Sequence, residues 1–314
     1  MGKEIFKIFM LGGGKRVSLA RRFKKAIESF NFEPEIFSYD LTKHEPINKE
    51  ARIIKGLPWN SSNVISDLRE KMIENDFDLI ISNVDPAIPL QSKLANEFNS
   101  ASLISSYENI LICQSKELFQ EFCEKEKLPI IPRWDCKTFP FFIKPKNGFS
   151  SNGAQLIYSR DQLNKVIDFS KEIFIKQKFI DGNEYTVDVY VDRNNKIKAL
   201  SPRERLKTAG GEVVLTRTLR DKTIENLSEN IIYNLGLQGP ISIQFIKSRE
   251  DNKLWLMEIN PRLGGGVIAS VEAGHNIPEM LISDILDYDV KKSISNTKLI
   301  MKRYFEEIFY EDNS

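Results

Sequence analysis

The segment LWLMEINPRLGGG, residues 254–266, places an acid, an amide and a guanidinium at the end of an apolar run. Side chains alternate between the two faces of a strand, so Glu258, Asn260 and Arg262 are expected to share one face. Carboxylate and amide oxygens are ligands that Mg²⁺ accepts, and the arginine adds a cation for an anionic substrate. An exposed polar strand is the ordinary alternative. A Pro-Arg step before three glycines is unusual for such a strand, so the pattern favours a site.

Two further segments carry groups that suit a nucleotide phosphate. GPISIQFIK would bring Gln244 beside Glu258 if the two strands pair around the polar SREDN turn. Gln244, Glu258 and Asn260 would then form a Mg²⁺ site that shares the ion with phosphates. IKPKNGFSSNGA combines Lys144 at a strand end with glycines and serines, as a phosphate clamp does, although a glycine-rich hairpin is often only a turn.

Other charged residues admit two interpretations each. Arg203 and Arg205, in LSPRERLKTAGGEV, would match an acidic substrate as guanidinium forks or would simply be solvated. With Arg16 they suggest a carboxylate such as that of an amino acid. Asp85, in SNVDPAIP, would bind a substrate amine or, as we favour, only start a turn. His275 shows no triad partner in the sequence, which predicts a surface histidine.

The elements that must position these groups change character along the chain. EIFKIFML, SLARRFKKAIESF, EIFSYD and DFDLIISN alternate strand and helix patterns, which predicts an open α/β unit over roughly residues 1–110. Ligands gather beyond the carboxyl ends of such strands, so the 12–16 and 83–87 loops are candidate walls. GGGKR matches neither GxGxxG, because Val17 stands at the third glycine position, nor a P-loop. We therefore expect a tight turn between strand and helix, in which the glycines allow close approach to the backbone.

After about residue 113 the pattern becomes antiparallel. Long strand signals such as EYTVDVYV and KIKALSPRE are separated by polar turns, with helices between some of them. The tail KLIMKRYFEEIFY fits either a strand or a helix. The predicted fold class is therefore α/β followed by α+β with antiparallel sheets.

Composition narrows the classes of partner. The chain has 314 residues and a formal net charge of +1, so no overall field predicts nucleic acid or a membrane surface as partner. We expect small-molecule substrates and a cytoplasmic location, since no leader or membrane span is recognised. Three cysteines and two histidines make a disulfide framework or a zinc site improbable.

Taken in order, these segments resemble the ATP-grasp superfamily, especially the branch of carbamoyl phosphate synthetase large-chain domains and carboxylate–amine ligases. The resemblance covers nearly the whole chain. It implies a pre-ATP-grasp α/β domain at 1–110, a small lobe with a glycine-rich lid at 111–180, and a large lobe with the metal site at 181–314. The hinge has Gln177 where many relatives carry Glu, which keeps an acceptor for the adenine amine without its charge.

The resemblance also assigns roles to residues. Lys116 and Lys144 would bind the ATP phosphates under the lid, residues 177–180 the adenine, and Glu184 the ribose. The full set implied for ATP is Lys116, Lys144, Gly148, Ser150, Ser151, Gly153, Gln177, Lys178, Phe179, Ile180 and Glu184. The set implied for the metal is Gln244, Glu258 and Asn260. The set implied for catalysis is Arg262, Lys144, Arg203 and Arg205.

The implied function is an ATP-dependent carboxylate–amine ligase that forms an acylphosphate and releases ADP and phosphate. Its cofactors would be ATP and Mg²⁺, with Mn²⁺ as a substitute, and its partners a small carboxylate, an amine and, as an option, a second copy in a homodimer. The chain shows one synthetase-like half and no glutaminase segment, so carbamoyl phosphate synthesis by it alone is not expected. Alternatives are a bicarbonate-activating enzyme, a non-catalytic ATP-binding module and, last, a dinucleotide enzyme.

Overall fold

The computed structural model describes residues 3–98, 102–146, 153–169 and 174–310. The first part of the chain alternates strands and helices: β1 (Ile5–Leu11), α1 (Val17–Ser29), β2 (Glu33–Asp40), β3 (Arg52–Lys55), α2 (Val64–Asn75), β4 (Leu79–Ser82) and α3 (Ile88–Glu97). Short 3₁₀ turns cover Pro46–Lys49 and Asp85–Ala87. The four strands are parallel, in the order β3-β2-β1-β4, and form the first sheet.

Helical periodicity explains how α1 packs. Leu19, Phe23 and Ile27 recur every four residues and are buried. The same hydrophobic cluster contains Leu281 and Ile282, which lie far along the chain, so α1 anchors the first sheet to the later part of the protein. Each such fully buried side chain stabilises the fold by about 1.5–3 kcal/mol.

The glycines after β1 serve a close approach of the backbone. Gly12 has a φ of +71°, a region that side chains with a Cβ rarely adopt. A Cβ at Gly12 would lie 2.6 Å from Cγ2 of Val84 in the loop after β4. The turn therefore brings the 12–16 and 83–87 loops together at the carboxyl edge of the first sheet.

A small antiparallel sheet follows two connecting helices. The elements are α4 (Tyr107–Gln114), α5 (Lys116–Lys125), β5 (Phe141–Pro145), β6 (Gln155–Ile157), α6 (Arg160–Phe169) and β7 (Phe174–Lys178). The strand order is β6-β5-β7. Alternate residues of β5, Phe141 and Ile143, are buried in a cluster with Trp134, which turns Phe142 and Lys144 to the opposite face.

A large antiparallel sheet completes the fold. Its elements and associated helices are β8 (Gly182–Val191), β9 (Ile197–Ala209), β10 (Glu212–Thr218), α7 (Lys222–Leu235), β11 (Gly239–Ser248), β12 (Leu254–Asn260), α8 (Val267–Glu272), α9 (Ile277–Ile285) and β13 (Ile300–Lys302). The strand order is β12-β11-β8-β9-β10-β13. Helix α7 is capped at its N-terminus by Asp221, whose carboxylate accepts hydrogen bonds from two backbone amides, and at its C-terminus by Gly236 with φ +58°.

The predicted fold class is confirmed: a parallel α/β part precedes two antiparallel sheets. The C-terminal segment KLIMKRYFEEIFY, which fitted either a strand or a helix, contains the short strand β13, and this strand pairs with β10. The division at residues 110 and 180 stays a prediction. Across the described ranges, no helix is both long and apolar enough to span a membrane.

Candidate functional site

A cleft of about 460 Å³ lies where the three sheets meet. Its walls include the loops after β1 and β4, the faces of β5 and β7 that carry Lys144 and Gln177, and strands β8 to β12. Twelve of the residues singled out from the sequence line this cleft: Arg16, Asp85, Lys116, Lys144, Gln177, Glu184, Arg203, Arg205, Gln244, Glu258, Asn260 and Arg262. The structure thus brings together groups from residue 16 to residue 262 of the chain.

Three oxygen-bearing side chains meet at the end of β12. Gln244 on β11 is directly opposite Glu258 on β12, and its Nε2 donates to Glu258 Oε1 at 2.7 Å. Asn260 Nδ2 donates to the same oxygen at 3.1 Å. No group of three His, Cys, Asp or Glu side chains that could hold a metal occurs in the described part of the chain. One carboxylate with two amides fits Mg²⁺ only if phosphates supply further oxygens, which matches a site beside a nucleotide.

Lys144 projects from β5 into the cleft. Burial lowers the pKa of its ammonium to about 8; nearby Glu258 opposes this shift and Lys116 adds to it. Lys116 Nζ donates to the carbonyl oxygen of Pro145 at 2.8 Å, so both lysines lie at the end of β5. Two cations at the end of one strand favour an anionic ligand such as a polyphosphate.

The lowered pKa of Lys144 predicts a pH dependence of ATP binding. Because the ammonium is charged below its pKa and neutral above it, the affinity for a non-hydrolysable ATP analogue should fall by up to about tenfold between about pH 7 and about pH 9. Calorimetric titration at several pH values measures this. The Lys144→Arg variant, which stays charged, should give a flatter profile. A wild-type affinity that is constant across this range would contradict the prediction.

Arg262 lies beyond the end of β12 and forms an ion pair with the first sheet. Its Nε and Nη2 both lie 2.6 Å from Oδ1 of Asp85, and its Nη1 donates to the carbonyl oxygen of Leu263. Asp85 also lines the cleft. The carboxylate that was expected mainly to start a turn does begin a 3₁₀ turn, and in addition it holds this arginine.

The other two arginines have different partners. Arg203 is 1% exposed and its Nε donates to Asp188 Oδ2 at 2.8 Å, while its Nη1 is buried without a hydrogen bond. Arg205 Nε lies 3.0 Å from Oε2 of Glu184, the residue implied to bind ribose. Burial lowers the pKa of Arg205, and Glu184 counteracts the shift. The interpretation as a merely solvated charge is wrong for the buried Arg203, whereas the role of Arg205, which is partly exposed, stays a prediction.

Strand β7 contributes one buried amide to the cleft. Gln177 is 4% exposed, and its Nε2 donates to Oε1 of Gln120 at 2.9 Å. Gln120 in turn donates to the carbonyl oxygen of Ile131 at 3.1 Å. The bond to Gln120 engages the amide nitrogen of Gln177 and leaves its carbonyl oxygen as an acceptor. Gln120 was not anticipated, since nothing in its helical sequence context marks it.

Several implied ATP contacts lie elsewhere. Lys178, Phe179 and Ile180 are not part of the lining of the cleft, and Lys178 N donates to the carbonyl oxygen of Pro132. Gly153, with φ +72°, also lies outside the lining, although its neighbour Ala154 belongs to it. The implied lid residues Gly148, Ser150 and Ser151 fall outside the described residues. The roles of all these residues stay predictions.

Two findings depart from the expectations for single residues. His275 is 4% exposed and its Nδ1 lies 2.7 Å from Oγ of Ser293, so the prediction of a surface histidine is wrong. Glu212, not singled out from the sequence, borders the cleft and accepts a hydrogen bond from Arg16 at 3.2 Å. Only its position after two glycines hinted at a role.

Comparison with known proteins agrees with this architecture. The family described as "ATP-grasp in the biosynthetic pathway with Ter operon" matches residues 170–307. The carbamoyl phosphate synthase large chain of Methanothermobacter thermautotrophicus is 25% identical over 205 residues, which cover 56% of this chain and 19% of that protein. In this large chain and two others, the matched part spans only 16–20% of the length of the relative.

Solved structures show the same fold over nearly the whole chain. N5-carboxyaminoimidazole synthetase from Staphylococcus aureus, complexed with ADP, has a TM-score of 0.75 at 19% identity and covers 97% of this chain and 84% of that one. L-amino acid ligase from Bacillus licheniformis has a TM-score of 0.69 at 16% identity, covering 90% and 75%. Residues 170–307 thus match an ATP-grasp family, and nearly the whole chain has the fold of these solved structures.

Proposed function

We propose that the protein is an ATP-dependent carboxylate–amine ligase that works through an acylphosphate. The observation that carries this proposal is the single cleft in which Lys144, the Gln244–Glu258–Asn260 oxygen cluster and Arg262 face one another. ATP and Mg²⁺ suit these groups by charge and ligand type. Two proteins of the same fold are named as a synthetase and as an amino acid ligase, and these names support the proposal of a ligase.

The proposed reaction has two displacements. A substrate carboxylate oxygen attacks the γ-phosphorus of ATP, the bond to the β-phosphate oxygen breaks, and ADP leaves. An amine nitrogen then attacks the acyl carbon, the bond to the phosphoryl oxygen breaks, and phosphate leaves as the amide forms. No protein nucleophile is required, so the enzyme contributes mainly positioning and electrostatic stabilisation.

Each part of the cleft would perform one task. Lys116 and Lys144 would bind the phosphates, and Gln177 would accept a hydrogen bond from the adenine amine. The oxygen cluster at the end of β12 would hold Mg²⁺, which neutralises charge on the phosphates when bound. Arg262 would stabilise the phosphoryl group during transfer. Arg16 and Asp85 bring charged groups from the first sheet to the same place, where the carboxylate substrate would enter.

Release of ADP by the purified protein tests the proposal. MgATP is supplied with single carboxylates, single amines and pairs of the two, amino acids among them, and with bicarbonate. The proposal predicts ADP and phosphate in equal amounts, and an amide product, only with a particular pair. Mass spectrometry of the product identifies the substrates.

The same assay separates the alternatives. Release of ADP with bicarbonate as the required acid would show a bicarbonate-activating enzyme instead. ATP binding without ADP release for every pair would support a non-catalytic module and contradict the ligase. Hydroxylamine, which captures acylphosphates as hydroxamates, reports the intermediate directly; its failure to react while the amide forms would argue against an acylphosphate.

A further inference from the structure

A second cavity, of about 310 Å³, adjoins the cleft on the side of the first sheet. It is formed by the glycine turn after β1, the end of β2 and the segments that follow it. Arg16 and Glu212 line both the cleft and this second cavity, so the two spaces meet at these side chains. A volume of this size suits a single small metabolite and not a nucleotide together with its partner.

One wall of the second cavity is acidic. Asp40 Oδ1 accepts a hydrogen bond from the backbone N–H of Gly14 at 3.1 Å, and Asp40 Oδ2 accepts one from Ser38 Oγ at 2.5 Å. A Cβ at Gly14 would lie 2.7 Å from Oε2 of Glu45 and 3.1 Å from Oδ1 of Asp40, so both carboxylates lie against this glycine. Burial, with a contribution from Glu45, raises the pKa of Asp40 to about 6. Two carboxylates held this way favour a cation between them.

The junction with the cleft is basic. Arg16 is held by Glu212, which Arg303 also contacts, yet Nη1 of Arg16 is buried and makes no hydrogen bond. A Cβ at Gly265 would lie 3.0 Å from this nitrogen, so Nη1 is directed toward the glycine segment that lines the cleft. A buried guanidinium N–H without a partner is costly. An anionic oxygen placed at the junction would satisfy it.

The remaining wall is mainly apolar, although the exposed side chain of Lys15 also borders the cavity. Leu57, Trp59, Val84 and Tyr39 line it, and the ring centroids of Tyr39 and Trp59 are 5.5 Å apart. Tyr39 Oη donates to Asp67 and accepts from the backbone N–H of Leu57, so its polar end is already satisfied. Such a wall favours a hydrocarbon or aromatic side chain over a charged one.

We propose that the second cavity binds the acid substrate as an α-amino acid with an apolar side chain. Its ammonium group would lie at Asp40 and Glu45, its side chain against Trp59, and its carboxylate at Arg16, toward the cleft where ATP would bind. This orientation of the amino acid rests on the proposed function, because it presents the carboxylate to the γ-phosphate of ATP. It adds the substrate class: the ammonium is required for binding, and an acid without it is a poor ligand.

Calorimetric titration tests the proposal without requiring turnover. The probes are L-leucine and L-phenylalanine, each compared with the same acid lacking the amino group, isocaproate and hydrocinnamate, in the presence of Mg²⁺ and a non-hydrolysable ATP analogue. At least one amino acid should bind about tenfold more tightly than its deaminated counterpart. Glu45→Gln and Asp40→Asn should remove most of that difference. Asp76→Asn, which changes an acid at the opposite end of the first sheet, should not.

The outcomes separate this proposal from the proposed function. Equal affinity for both members of each pair, or a preference that Glu45→Gln and Asp40→Asn leave intact, would overturn the amino-acid assignment even if some other acid supports ADP release. If neither amino acid binds while the ATP analogue still does, the amino-acid assignment is overturned as well. Binding that depends on Glu45, combined with no ADP release for any pair, would support the subsite and refute the ligase. Thermal unfolding confirms that each variant is folded.

Discussion

The Glu258→Ala variant is expected to lose at least about a hundredfold of the Mg²⁺-dependent ADP release of the wild type. Glu258 is the only carboxylate in the oxygen cluster, and both neighbouring amides donate hydrogen bonds to its Oε1. Removing it would delete the one charged side chain among the proposed Mg²⁺ ligands and also the group to which Gln244 and Asn260 donate. Steady-state rates at increasing Mg²⁺ measure the loss, and saturation at higher Mg²⁺ would show weakened metal binding.

A matched control distinguishes this effect from general damage to the sheet. Glu250 lies in the turn that joins β11 to β12 and is exposed, and its carboxylate accepts no hydrogen bond from the described residues. Glu250→Ala should keep the rate and the Mg²⁺ dependence of the wild type. Equal rates for Glu258→Ala and Glu250→Ala would rule out Glu258 as a metal ligand.

The oxygen cluster shows what a local pattern can predict. The alternation of apolar residues in β11 and β12 and the polar turn between them fixed which strands pair, and the observed register sets Gln244 opposite Glu258. A register shift follows immediately, between Gln244 and Phe245, and no feature of the sequence marked it. The pairing was therefore predictable, because a two-strand unit depends on neighbouring sequence, whereas the irregularity depends on the packing of the whole sheet.

Local sequence patterns did not predict the contacts between distant parts of the chain. Arg262 was expected to extend the strand face, but β12 ends at Asn260 and the direction of the guanidinium is set by Asp85, 177 positions away. The Arg16–Glu212 pair spans 196 positions, and the Gln120–Gln177 bond joins a helix to a strand. Residue type and periodicity indicate which elements form. They do not say which loop of one sheet faces which loop of another.

The glycine turn after β1 illustrates the same limit. Its spacing excluded a dinucleotide motif and predicted a close approach of the backbone, which Gly12 and Val84 confirm. The sequence did not show that Gly14 would lie against two carboxylates, because Asp40 and Glu45 are brought there by the end of β2 and the 3₁₀ turn that follows. The second cavity is thus a product of tertiary structure and left no motif.

Arg262→Ala is expected to lower kcat by about 10²–10³-fold while the affinity for MgADP changes little. The guanidinium faces the cleft beside the oxygen cluster and would stabilise charge on the phosphoryl group mainly during transfer. An interaction made only in the transition state lowers kcat and kcat/KM together and leaves KM unchanged. Arg262→Lys should recover only part of the rate, because an ammonium lacks the planar fork that contacts Asp85 and an anion at the same time.

Arg249→Ala provides the comparison for loss of an arginine as such. Arg249 is exposed in the β11–β12 turn, where it pairs with Asp181, and its loss should leave kcat near the wild-type value. Asp85→Asn tests the partner of Arg262 in the ion pair. The neutral amide still accepts a hydrogen bond from Arg262, but it no longer competes with a phosphoryl group for the charge of the guanidinium. If Arg262→Ala raised KM for ATP tenfold or more and left kcat intact, Arg262 would be a ground-state binding residue, and stabilisation of the transferred phosphoryl group would have to come from Lys144 and the metal.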